Sequence, residues 1–74
     1  MNNKIKLPKR QEQVLQYLIR GKSAKLIAKE MNVSFRTIQH YTEILKNKFH
    51  CKTKIELIET AFNQGFLIKN VNDD

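Results

Sequence analysis

The chain holds one cysteine, Cys51, among its 74 residues, so it cannot close an internal disulfide. Cys51 and the two histidines, His40 and His50, fall short of the four ligands of a structural zinc cage. Tryptophan is absent, proline occurs once and glycine twice, which excludes Pro- or Gly-rich linkers and low-complexity tracts. No apolar run approaches the roughly 20 residues of a membrane-spanning helix. The polar first residues open no signal-peptide core. Nor does any nucleophile–base pair or phosphate-cradling glycine loop stand out, which argues against an enzyme. These absences predict a reduced, cytoplasmic chain with no cofactor, no metal, no membrane partner and no evident small-molecule ligand.

What remains is a small, basic, helical chain. Its length allows one domain with one core. Fourteen Lys and Arg stand against seven Asp and Glu, for a net charge of +7. The excess is uneven: residues 1–54 carry 13 basic and 3 acidic side chains, residues 55–74 carry 1 and 4. A domain basic over one region only suits a polyanion approached from one side, and nucleic acid leads that class.

No segment alternates apolar and polar residues as a half-buried strand would, whereas helical spacing recurs four times. The first helix is expected over residues 9–20, entered at Pro8, lined by Val14, Leu15, Leu18 and Ile19, and left at Gly21. Ser23 caps a short second helix over 24–31, with Ile27, Ala28 and Met31 inward. Ser34 caps a third reaching about residue 48, with Ile38, Tyr41, Leu45 and Phe49 on one side. Thr53 and Glu56 read as a capping box opening a fourth helix that stops near Gly65. The expected fold class is all-α.

Residues 23–45 carry the informative pattern. Two helices joined by a turn of about three residues form a helix-turn-helix when they cross closely at a steep angle. The crossing needs a small residue inside the first helix, and Ala28 is there. The turn needs Gly or Asn at positive φ four residues on, and Asn32 is there. Ile27, Met31, Val33, Ile38 and Tyr41 fill the apolar positions around them. Together with the basic charge, this pattern points to DNA binding.

Leu7, Arg10, Val14, Leu15, Leu18, Gly21, Ser23, Lys25, Ile27, Ala28, Ser34, Thr37, Ile38, Lys48, Leu57 and Ala61 together resemble the LuxR/GerE type of helix-turn-helix domain. The likeness runs ungapped over residues 7–66. It implies a four-helix DNA-binding domain whose third helix enters the major groove and whose fourth forms a dimer contact. It also implies a bacterial transcriptional regulator that binds specific duplex DNA as a homodimer, with RNA polymerase as a further candidate partner. Family members commonly carry this domain behind a sensor. Here the likeness starts six residues after Met1, so the expectation is a stand-alone domain: a flexible lead at 1–6, the domain at 7–66 and a tail at 67–74. The family's early glutamate pair is replaced by Gln11 and Gln13, its usual apolar residue by Lys46, and its usual valine by Cys51.

On the third helix, Arg36, Gln39, His40, Glu43 and Asn47 lie away from the apolar stripe. Gln39 can pair bidentately with adenine, Arg36 can take guanine or a phosphate, and His40 can donate or accept. Glu43 can accept from a cytosine amino group, or form an exposed pair with Lys46. The resemblance independently points to the Gln39, His40 and Glu43 positions for base reading. Ser23 and Lys25, at the positive end of the second helix, suit phosphates, and the resemblance adds Thr37 and Lys48. For the dimer contact implied by the family, Ile55, Glu59, Phe62 and Phe66 recur at helical spacing on one side of the fourth helix; the alternative is that Phe62 and Phe66 fold back to finish a small core. A rival reading keeps the fold but makes it a protein-interaction or adaptor module with weak DNA affinity.

Overall fold

A computed structural model describes residues 5–66. Three of the four helices begin where a side chain accepts from a backbone N–H that the helix leaves unpaired, and the first has no such side-chain cap. α1 (Lys9–Ile19) follows Pro8, which stands at the cap position itself; its carbonyl accepts from the Glu12 N–H at 2.9 Å. α2 (Ala24–Met31) is capped by Ser23, whose Oγ accepts from the Leu26 N–H at 3.2 Å. α3 (Phe35–Lys48) is capped by Ser34, whose Oγ accepts from the Thr37 N–H at 3.0 Å. α4 (Lys54–Asn63) is capped by Thr53, which accepts from the Glu56 N–H at 3.0 Å. The expected reciprocal half of that capping box is displaced by one residue. Glu56 Oε1 accepts from the Lys52 N–H at 2.8 Å, one position before the cap.

The helix ends share one geometry. Gly21, Asn32, His50 and Gly65 all have positive φ, between 59° and 96°. At each, the following N–H reaches five residues back: Lys22 to Tyr17, Val33 to Ala28, Cys51 to Lys46 and Phe66 to Ala61. These left-handed closures satisfy carbonyls that the helices leave open. Three of them match the expected exits. His50 was not foreseen in that role.

Among the described residues there is no strand, and the core is one cluster. It joins Val14, Leu15, Leu18 and Ile19 of α1 to Ile27 and Ala28 of α2, Ile38 and Leu45 of α3, and Leu57 and Ala61 of α4. Phe49 and Phe66 complete it, edge to face with ring centroids 5.5 Å apart. Met31, Val33 and Tyr41 pack against this cluster while staying partly open. α3 contacts every other helix, and α1 does the same, whereas α2 and α4 do not meet. α2 and α4 therefore flank a central α1–α3 pair. Of the expected lead, residues 1–4 lie outside the described residues, and Ile5 packs against the core. The expected tail at 67–74 lies wholly outside them.

Candidate nucleic-acid interface

α2 and α3 are joined by only residues 32–34. Asn32 adopts φ 59° and ψ 46°, turning the chain, and Val33 then anchors the turn through its N–H to Ala28. Ala28 itself is buried, so a small side chain occupies the place where the two helices pack. This is the helix-turn-helix arrangement expected from the residues.

Ile38 and Leu45 are fully enclosed, fixing which side of α3 faces inward. The opposite side presents Arg36, Gln39, His40, Glu43 and Asn47, all exposed. Arg36 to Glu43 spans two turns, roughly 10 Å along the axis, a length suited to a few base pairs. The four residues expected to read bases thus share one solvent-facing strip. Glu43 also makes the pair that was its alternative: Lys46 Nζ lies 2.8 Å from its Oε2.

The expected phosphate contacts divide. Ser23 and Lys25 are exposed at the start of α2, where unpaired N–H groups attract anions. Thr37 is half-buried, and its hydroxyl lies 2.9 Å from that of Ser34, either being able to donate. Lys48 is half-buried at the far end of α3, and its ammonium donates to Gln11 Oε1 at 2.7 Å. That bond ties α3 to α1, a role missed in the sequence. Gln11 is a neutral acceptor, so it holds the ammonium while leaving its charge uncancelled.

On α4 the grouping of four splits. Ile55 is 69% exposed and Phe62 50%, and Glu59 is exposed between them. Phe66 is only 5% exposed. The expectation that Phe66 belongs to a dimer contact is therefore corrected in favour of its alternative, the fold back onto the core. Phe66 lies beyond the end of α4, and the turn at Gly65 directs it onto Phe49 instead of continuing the helical register.

His50 is exposed. Cys51 is half-buried, with Sγ 3.4 Å from the Phe49 carbonyl and 3.3 Å from Thr60 Oγ1. No cluster of three His, Cys, Asp or Glu fit for a metal occurs among the described residues, and no helix among them is long and apolar enough to cross a membrane.

Residues 6–61 match the family model described as bacterial regulatory proteins, luxR family. The chain is 39% identical over 61 residues to the transcriptional regulatory protein FixJ of Bradyrhizobium diazoefficiens, covering 82% of this chain and 30% of FixJ. Among solved structures, the Vibrio cholerae VqmA dimer in the absence of its target DNA superposes with a TM-score of 0.83 at 36% identity. That alignment covers 86% of this chain and 29% of VqmA. VqmA in a complex with ligand and DNA gives 0.82 at 37% identity, over 84% of this chain and 27% of that one. The chain spans less than a third of the length of each of these proteins.

Proposed function

The chain belongs to the luxR family of bacterial regulatory proteins, and we propose that it acts in transcription regulation by binding specific duplex DNA as a homodimer, with α3 in the major groove. The observation that carries this is the exposed strip Arg36, Gln39, His40 and Glu43, on a helix whose other side is anchored in the core. A major groove accepts one α-helix, and base edges are discriminated by directional donors and acceptors on it. Gln39 pairs with adenine, Arg36 with guanine or a neighbouring phosphate, and Glu43 accepts from cytosine N4. His40 donates or accepts according to its tautomer.

Position along the duplex comes from phosphate contacts. Ser23 and Lys25 present a capped helix start together with a cation. Ser34 Oγ already accepts from the Thr37 N–H. With Ser34 as the hydroxyl donor as well, Thr37 keeps its own proton for a phosphate oxygen. Lys48 contributes a charge held in place by Gln11. Ile55, Glu59 and Phe62 of α4 form the contact between copies, since a small domain that exposes two large apolar side chains on one helix side marks a binding surface.

Selection of sites from a random duplex pool, followed by salt titration on the winner, tests the reading. One motif with two related half-sites should emerge, and affinity should fall steeply with salt. A pool that yields no preferred sequence, with binding indifferent to salt, would leave the adaptor reading in its place.

A further inference from the structure

Lys46 stands in the last turn of α3, at a position where the family is usually apolar. Its side chain is only 19% exposed, while that of Glu43, its partner at 2.8 Å, is 65% exposed. The methylene stem therefore lies along the packed side of the helix, and the ammonium emerges at its edge toward the exposed strip. Ion pairs on a surface usually contribute little, because two long side chains must be ordered against water. Here packing already orders one of them. What the pair holds is the carboxylate.

We propose that Lys46 is a positioning residue for DNA specificity: it holds Glu43 so that the carboxylate accepts from the cytosine amino group of one C·G pair. The proposal rests on the reading of α3 as the groove-facing helix. An unpaired carboxylate on that strip would be repelled by phosphates and would sample several rotamers. Paired, its charge is offset, and its orientation is restricted. The pair engages Oε2, and a carboxylate has a second oxygen able to accept from N4–H.

The test uses the full chain on the selected operator, every single-base variant of it, and a random duplex. Lys46→Met keeps the stem and removes the ammonium, and thermal melting checks that it folds. Lys46→Gln makes the same comparison with a polar head should the methionine variant not fold. Discrimination should fall about tenfold at one base pair, the scale of a lost base-edge contact. Glu43→Gln should lose it at that same pair, the double variant should be no worse than either single one, and Lys46→Arg should restore most of it. Affinity lost equally on every duplex would make Lys46 a phosphate contact, and an unchanged preference would leave it no role; either overturns the proposal. A parent protein that prefers no duplex would instead overturn the underlying reading before any variant is made.

Discussion

His50 ends α3 with φ 59°, in a region where an L-residue brings its Cβ against the following carbonyl at a cost of about 1–2 kcal/mol. The turn requires that conformation. Through it the Cys51 N–H reaches the Lys46 carbonyl at 2.8 Å and the His50 N–H the Asn47 carbonyl at 3.2 Å. The imidazole is exposed, so replacing it removes no packing. His50→Gly relieves the strain but adds conformational freedom to the unfolded chain, an opposing effect of about 0.4–1 kcal/mol. The balance is a variant between neutral and about 1.6 kcal/mol more stable than the parent. His50→Val places a branched Cβ in the same region and should destabilise by at least about 1 kcal/mol. For a domain of this size that is a fall in Tm of about 4–8 °C per kcal/mol. Thermal unfolding followed by far-UV circular dichroism reads both, with the order glycine, histidine, valine. A valine variant as stable as the glycine one would refute the conformational account. A melting temperature that rises with zinc in the parent, and not in His50→Gly, would put a metal ligand there instead.

DNA affinity should fall with salt at a log–log slope of about −4 to −5 per protomer, for some five phosphates neutralised; Lys25→Ala should weaken all duplexes alike and flatten that slope by about 1. Phe62→Lys should leave a folded monomer with weaker operator binding, read by sedimentation with and without a two-half-site duplex; a parent that stays monomeric on that duplex removes the dimer from the reading. Ala28→Leu puts three extra carbons into the buried packing of α2 on α3, and should cost about 1–3 kcal/mol in chemical denaturation; a variant as stable as the parent would show that the packing there is loose.

The helices could be read from the chain because their signals are discrete. Ser23, Ser34 and Thr53 each cap the helix expected of them, and a hydroxyl at a helix start has one favourable arrangement. Asn32 and Gly21 likewise mark their exits, since few residues tolerate positive φ. His50 was not read as an exit, although histidine is among the non-glycine residues enriched in that conformation. Phe66 takes its alternative place in the core because of where α4 stops. Spacing every three or four residues carries information only while the helix continues, and α4 ends before Phe66. The Lys48–Gln11 bond joins residues 37 apart. No local pattern encodes such a pair, and only packing α3 against α1 brings the two together.

The distribution of charge gives the two exposed surfaces different requirements. The excess of basic side chains lies within residues 1–54, which contain α1, α2 and α3, whereas acidic side chains outnumber basic ones from residue 55 onward. A strip on α3 that approaches a polyanion can therefore be polar and selective, because neighbouring lysines supply the attraction. One acid, Glu43, is tolerable there when Lys46 offsets it. The proposed contact on α4 meets a different condition, since a two-fold brings the same patch of both copies together. Glu59 is exposed there, and exposed charges contribute little to holding two surfaces together. Attraction there must come from apolar surface, and Ile55 and Phe62 are the large apolar side chains that α4 leaves exposed. With Phe66 withdrawn into the core, Phe62 supplies the aromatic surface of that contact. A charge at position 62 should for this reason disrupt the proposed dimer more than a charge change at Glu59, which a rim position would leave in water.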